Sequence, residues 1–303
     1  MAEVLSVTDP ADFHVHLRQG ALSELVTPHV RKGGFSTAYV MPNVEFLMTL
    51  YLSPELTPDE IRKAKDAGIV GVKSYPRGVT TNSDGGIESY EVYYPVFEAM
   101  QDVDMVLNLH GENIHVLNAE PSFLPQLHKL HSTFPRLRIV LEHATTRAAV
   151  EAVKACGPTV ACTITVHHLA LTVDDWAGQS WNFCKPVAKY PDDRQALREV
   201  IKEGVFCSSS PRYNKSTSTP SCGCAAGIYT SPILLPLTAH ILESFGALDK
   251  LEGFVSTFGR EFYEETRGAS GAAFSIPEEG YTSKNETVIP FWAGKQINWI
   301  LSE

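Results

Sequence analysis

Short apolar segments rich in β-branched and aromatic residues recur along this chain and alternate with segments of helical periodicity. That alternation is typical of a parallel sheet whose strands are joined by crossover helices. Eight strands therefore favour an α/β fold of the (β/α)8, TIM-barrel-like type, whose active site lies at the carboxyl ends of the strands. The length of 303 residues suits one such domain over residues 1–303 better than two small ones. The predicted strands are residues 11–17, 36–42, 46–52, 69–75, 104–110, 138–144, 159–166 and 204–208.

Helix start and stop signals lie between these strands. Thr57 offers an N-cap, Pro58 a proline in the first turn, and Asp59 and Glu60 acidic residues near the helix N-terminus. Similar helix start and stop signals recur in two later segments, and periodicity predicts five more helices. These seven further helices are expected at residues 146–157, 192–204, 21–33, 87–101, 118–133, 231–245 and 251–265.

One place breaks the alternation. Only Val44 and Glu45 separate the second strand, which ends in Met41-Pro42-Asn43, from the third. A parallel crossover needs a dozen or more residues, so an ordinary βα unit cannot form there. The two runs form one kinked strand, or pair in some other way, or have lost a crossover helix. The barrel is expected to be incomplete around residues 43–46 and again around 204–212.

Charge and hydropathy exclude several classes of partner. The formal net charge is −10 and no run of lysine or arginine is present, so a nucleic-acid partner is not expected. No apolar run approaches the roughly 18 residues of a membrane span, and the N-terminus lacks a signal-peptide pattern. We expect a cytoplasmic protein with scattered, reduced cysteines that acts on a small molecule. A homodimer is one assembly compatible with such a chain.

Polar side chains at the strand ends predict a metal centre. His14 and His16 are two residues apart on a strand, so they point to the same side and can bind one metal ion. Arg18 follows on that face as a bidentate donor for an acidic substrate group. Lys73 ends an apolar strand, where a buried amine is costly unless it is paired or chemically changed. A carboxylated Lys73 would bridge two divalent metals, one held by His14 and His16 and the other by His110 and His143.

The order of strand-end motifs resembles the dihydroorotase family in its monofunctional bacterial and fungal form. The resemblance runs nearly end to end. It rests on HVHLR at 14–18, MPN at 41–43, Lys73 followed by YP and TTNS, LHGE at 109–112, EHATT at 142–146 and CGCAAG at 222–227.

The resemblance implies a zinc-dependent enzyme that interconverts N-carbamoyl-L-aspartate and dihydroorotate in de novo pyrimidine biosynthesis. Arg18 and Asn43 would hold the substrate carboxylate, helped by the backbone near Ala225, and Thr80 and Thr81 would lie on the loop that closes over substrate in the family. Glu112 and Glu142 are expected to orient the adjacent histidines. The implied ligands of two zinc ions are His14, His16, carboxylated Lys73, His110 and His143.

Two departures from the family bear on activity. The crossover after the second strand is missing, and so is the aspartate that follows the family's eighth strand. Residues 204–215 read GVFCSSSPRYNK. Aligned one way, Ser209 stands nearest to that aspartate and Arg212 takes the place of a substrate-contacting histidine; aligned another way, the motif is deleted outright, and neither alignment supplies an aspartate. A positioned acid–base group is worth about 10²–10⁴-fold in rate, so we expect impaired turnover with no catalytic residue assigned. The alternatives are a catalytically silent relative that binds or scaffolds, and an incomplete version of an active enzyme.

Overall fold

The protein is described by a computed structural model that covers most of the chain. Its described residues are 5–16, 21–41, 47–79, 83, 85–204, 207–209, 227–263, 281–283, 286–288, 291–292 and 295–301.

Eight parallel strands form one sheet in which each strand pairs with the next along the chain. All eight predicted strands are present, and the last begins three residues late because Gly204 ends the preceding helix in the left-handed conformation. A separate antiparallel pair, β9 and β10, follows. The strands are β1 (Ala11–His16), β2 (Thr37–Met41), β3 (Leu47–Tyr51), β4 (Gly71–Ser74), β5 (Val106–Leu109), β6 (Ile139–Leu141), β7 (Val160–Thr165), β8 (Cys207–Ser209), β9 (Tyr281–Ser283) and β10 (Glu286–Val288).

Ten α-helices are described, and within them none is long and apolar enough to cross a membrane. Four start later than predicted. In α3 and α4 Pro95 and Pro125 occupy the first turn, where a missing N–H is tolerated, and α9 and α10 follow a 3-10 turn at Ser231–Ile233 and a π-helical turn at Gly253–Thr257. The helices are α1 (Ala21–Lys32), α2 (Pro58–Asp66), α3 (Tyr94–Asp102), α4 (Leu124–Thr133), α5 (Arg147–Cys156), α6 (Val166–Ala170), α7 (Val173–Trp176), α8 (Pro191–Glu203), α9 (Leu234–Ser244) and α10 (Phe258–Tyr263).

The β2–β3 pairing excludes one of the three alternatives that the sequence leaves open, a single kinked strand. The two strands are separate and pair in parallel, although only residues 42–46 lie between them. The pairing is staggered, with Tyr39 opposite Leu47 and Val40 opposite Met48. The chain therefore has to return only roughly 7 Å along the strand direction before pairing begins. Five residues can span that distance, although they are fewer than an ordinary parallel crossover contains.

The amino-terminal end of the barrel is closed by α10. This helix packs where β1 and β8 approach each other, and the ring of Tyr263 stacks on Phe13 with centroids 5.6 Å apart. Gly259 permits the close approach, because a Cβ there would lie 2.1 Å from the Phe13 ring. Arg260 donates from Nε to the Asp9 carbonyl at 3.0 Å. With this end sealed, the opposite end remains for the polar residues that follow the strands.

Candidate metal centre

Three of the predicted histidines meet at the carboxyl ends of the strands. His14 lies on β1, His110 follows β5 and His143 follows β6, and all three are buried. The ring centroid of His143 is 5.2 Å from that of His14 and 4.6 Å from that of His110. The backbone of His16 ends β1, and its side chain lies outside the described residues. The sequence thus predicted that histidines from three separate strands would converge.

The backbone at His143 turns sharply at the end of β6. His143 has a φ of +46°, a left-handed conformation that is uncommon for a residue other than glycine. Its N–H donates to the Thr163 hydroxyl at 2.8 Å, which holds the turn against the neighbouring strand. The turn brings both Glu142 and His143 into the buried cluster, although consecutive residues of a straight strand would point to opposite faces.

Glu142 lies between His14 and Lys73. One carboxylate oxygen is 3.1 Å from His14 Nδ1, and the other forms an ion pair with Lys73 Nζ. Glu142 therefore contacts residues of two other strand ends, His14 and Lys73, besides standing next to His143 in the chain. Donor atoms of His14, Glu142 and His143 all lie within 4.8 Å of one another, which makes them a candidate metal-binding group. The Lys73 ammonium also lies 4.6 Å from the centroid of the Tyr75 ring.

His110 is held by Glu112. The distance from His110 Nε2 to Glu112 Oε2 is 3.0 Å, and the Tyr75 ring lies 5.5 Å from the imidazole. Because an ionised carboxylate only accepts hydrogen bonds, an ionised Glu112 selects the neutral tautomer with the proton on Nε2, in which Nδ1 presents a lone pair. Metal-binding histidines usually have such an outer partner for the second ring nitrogen.

Buried Glu120 joins the segments that follow β5 and β6. It accepts from the Thr145 N–H at 2.9 Å, from the Thr145 hydroxyl at 3.1 Å and from the Thr146 hydroxyl. Burial raises the pKa of Glu120, and these donors together with Lys189 oppose that shift. The segment carrying His143 is thereby tied to the segment carrying His110.

The remaining predicted site residues are placed in part. Ser209 ends β8 opposite Thr165 of β7, so its backbone lies at the carboxyl end of the barrel. His168 is an internal support, with Nε2 2.9 Å from the Pro186 carbonyl and Nδ1 2.6 Å from the Thr165 hydroxyl. The predicted substrate contacts lie outside the described residues; these are Arg18, Asn43, Thr80, Thr81 and Ala225.

Sequence reasoning missed three residues that support this cluster. Thr163 and Glu120 resemble ordinary strand and loop residues in the sequence, and Lys189 directly precedes a helix N-terminus. Lys189 is nevertheless buried, with Nζ 4.0 Å from Glu112 Oε1. Its one signal in the sequence is the proline-flanked segment KPVAKYP, which indicates a loop and not a site.

Comparisons of the sequence and of the structure with known proteins lead to one enzyme family. The sequence profile of the Amidohydrolase family matches residues 42–203. A dihydroorotase of Mycosarcoma maydis is 50% identical, with 97% of this chain and 98% of the relative covered, and a dihydroorotase of Saccharomyces cerevisiae is 41% identical over 99% and 98%. The crystal structure of dihydroorotase in complex with 5-fluoroorotic acid from Saccharomyces cerevisiae has a TM-score of 0.91 at 40% identity, covering 98% of this chain and 97% of the other.

The barrel and its buried histidine cluster are those of an amidohydrolase. Within that class, the chain belongs to the dihydroorotase family. The alignments also contain more positions than this chain has residues: 385 with the Mycosarcoma maydis relative and 357 with that of Saccharomyces cerevisiae, against 303. Since both chains are covered nearly end to end, the relatives carry internal segments that have no counterpart here.

Proposed function

We propose that this chain is a zinc-dependent cyclic amidohydrolase, acting as a single domain, that interconverts N-carbamoyl-L-aspartate and dihydroorotate in de novo pyrimidine biosynthesis. One observation carries the proposal: His14, His110, His143, Lys73 and Glu142 converge in one buried cluster at the carboxyl ends of the strands. A scaffold has no need of three buried imidazoles around one space, since buried polar groups are costly unless they are satisfied.

The residues of the cluster fit zinc. Imidazole nitrogen is a preferred zinc donor, and His14 and His143 lie with Glu142 in the group whose donor atoms are mutually close. We assign one zinc ion to His14 and His16 and a second to His110 and His143, with carboxylated Lys73 bridging them. Bound zinc would lower the pKa of water and polarise the amide carbonyl.

The substrate contacts are proposed from the family motif. Arg18 and Asn43 bind the substrate carboxylate, and the backbone near Ala225 completes that pocket. Thr80 and Thr81 contact the substrate from the loop after β4. Arginine suits this role because its planar guanidinium forms two parallel hydrogen bonds to a carboxylate.

Proton transfer is the weak step of the proposed reaction. The family's aspartate after the eighth strand is absent, and the serine at its nearest position, Ser209, is too weakly basic near neutral pH to take a proton from water. We therefore propose that turnover is at least about a hundredfold below that of a complete family member. This same absence favours a second candidate function, a catalytically silent relative that keeps the barrel as a binding module.

Ring opening of dihydroorotate, followed by its ultraviolet absorbance, tests the proposal. The dihydroorotase of Saccharomyces cerevisiae is assayed alongside, and His110→Ala shows whether any residual rate belongs to the metal centre. Slow turnover that His110→Ala abolishes supports the impaired enzyme. Zinc and dihydroorotate binding without turnover supports the silent relative. A rate of about 1–10³ s⁻¹, typical of enzymes, contradicts impairment and requires another general base.

A further inference from the structure

We propose that Lys189 is a positioning residue that fixes the His110 imidazole through the carboxylate of Glu112. The inference rests on the proposed function in one respect, since it matters to the reaction only if His110 binds metal. Lys189 reaches the histidine cluster only through Glu112 in the contacts described below.

Lys189 holds the segment after β5 at two points. Its side chain is 2% exposed, and its Nζ donates to the Val116 carbonyl at 3.0 Å while lying 4.0 Å from Glu112 Oε1. Glu112 is also buried, and its second oxygen, Oε2, lies 3.0 Å from His110 Nε2, where it accepts a hydrogen bond from the Nε2-protonated ring. One oxygen of the carboxylate therefore faces the ammonium while the other holds the imidazole, and the plane of the carboxylate is fixed from both sides.

The backbone around Lys189 is held in place by hydrogen bonds from neighbouring elements. Its carbonyl accepts from the Val173 N–H at 2.7 Å, at the start of α7. The preceding carbonyl, of Ala188, accepts from Trp176 Nε1 at 2.7 Å, and that of Pro186 lies 2.9 Å from His168 Nε2. Lys189 thus links α6 and α7, through Glu112, to the ring of His110.

Charge balance favours a lysine in this buried place. Burial lowers the pKa of Lys189, while the carboxylates of Glu112, Glu120 and Asp193 raise it. A buried cation without partners would be costly, and so would the two buried carboxylates without a cation. A hydrogen bond to Val116 alone could be made by a neutral side chain, so the charge indicates a role toward Glu112.

Four variants separate positioning by charge from simple loop support. Lys189→Met removes the ammonium and keeps a long apolar stem, whereas Lys189→Gln can still donate to the Val116 carbonyl. Lys189→Arg keeps the charge, and Glu112→Gln removes the intermediary. Lys65→Met is the matched control, because Lys65 also donates to a backbone carbonyl, that of Asp104 at 2.8 Å, on an exposed surface.

The first measurement needs no metal. Nitrogen-15 chemical shifts of the imidazole in the metal-free protein report which ring nitrogen of His110 carries the proton. Wild type, Lys189→Arg and Lys65→Met should show a single form protonated on Nε2, whereas Lys189→Met and Lys189→Gln should show a mixture of both tautomers. A single Nε2-protonated form in Lys189→Gln would overturn the proposal, because the charge would then be dispensable.

The second measurement is zinc affinity by competition with a chelator. Lys189→Met should weaken binding about tenfold, the lower end of the range for outer partners of metal ligands, and Lys189→Arg should restore it. In the Glu112→Gln background the same change should weaken binding by less than about twofold, because the route to His110 is already cut. Additive effects would overturn the role of Glu112 as intermediary. Wild-type protein that binds no zinc would refute the proposed function, while the tautomer measurement would still decide the role of Lys189.

Discussion

Lys73 and Glu142 impose a condition on the proposed lysine modification. Their ion pair, with both side chains 1% exposed, is the arrangement of an unmodified lysine. A carboxylated Lys73 would place a second negative charge beside the Glu142 carboxylate in a buried site, which is unfavourable unless cations lie close to both. Carboxylation and metal binding should therefore occur together.

We accordingly predict that metal-free protein carries unmodified Lys73, and that zinc with bicarbonate adds the mass of one carbon dioxide per chain, which acid removes. Intact-mass measurement under native conditions checks this. Lys73→Ala should lose most of the zinc that dialysed wild type retains, whereas Lys129→Ala, at an exposed ion pair with Glu91, should retain it all. Full zinc retention by Lys73→Ala would mean that the bridging assignment is wrong.

His29 gives a pH dependence with a definite sign. It lies buried against the Tyr229 hydroxyl, and burial together with the Lys32 charge lowers its pKa from 6.5 to about 4. Because the folded protein disfavours the protonated ring, the contribution to stability is complete above about pH 6.5 and is lost as the pH falls towards 4.

We predict a loss of about 1–2 kcal/mol across that window, which is less than the full shift would give because the ring is not wholly shielded from water. Urea unfolding at a series of pH values checks this. His29→Gln should lose this part of the pH dependence, and His115→Gln, on an exposed segment, should keep it. Identical pH profiles for wild type and His29→Gln would contradict the prediction.

At the scale of elements, local signals were sufficient for most of the fold. Each strand is an apolar β-rich run, and α2 begins at the Thr57 capping box that the sequence predicts. The short helices α6 and α7 were not predicted, because five and four residues are too few to show periodicity. The parallel β2–β3 pair could not be predicted either, since its stagger is a property of two strands together and not of either sequence.

The same distinction applies to the candidate site. His14, His110 and His143 were predicted to meet because the ends of parallel strands converge at one end of a barrel. The contacts of Glu142 with His14 and Lys73 depend on the left-handed turn at His143, which no residue type signals. Lys189 reaches Glu112 from a segment beyond β7, and such long-range pairing leaves no local pattern.

Glu120 allows a test of how strongly two elements are joined, because its hydrogen bonds connect the segment after β5 to the segment after β6. Glu120→Ala would leave the buried donors of Thr145 and Thr146 without their acceptor, and we predict a loss of about 3 kcal/mol in the free energy of unfolding. Glu151→Ala, on the exposed side of α5, should change it by less than about 0.5 kcal/mol. Denaturant titration compares the two, and equal small effects would show that the tie is not stabilising.

For the whole molecule, the two regions that depart from the family pattern are expected to have different consequences. The β2–β3 connection is only five residues long, whereas the segment after β8 is where we propose that the proton acceptor has been lost. Stability and turnover should therefore respond separately when each segment is restored.

We predict that replacing residues 204–215 with the corresponding segment of the Saccharomyces cerevisiae relative raises the rate of dihydroorotate ring opening by at least about a hundredfold. Ser209→Asp alone should recover little if the family segment around it is also shortened, because one substitution would not restore the rest of that segment. The same graft with its aspartate replaced by asparagine is the control and should stay slow. If the asparagine graft is as fast as the aspartate graft, the carboxylate is not the group that was lost.

The left-handed backbone at His143 has an evolutionary consequence. A non-glycine residue held there costs of the order of 1 kcal/mol, which a barrel kept only for its shape has no reason to retain. Glycine or asparagine at position 143 would relieve that cost at the expense of the imidazole. Under selection for abundance alone, a library of variants should enrich these two residues at position 143. Under selection for growth without pyrimidines, the library should lose glycine and asparagine at position 143. The residue preferred at this position therefore distinguishes selection for abundance from selection for activity.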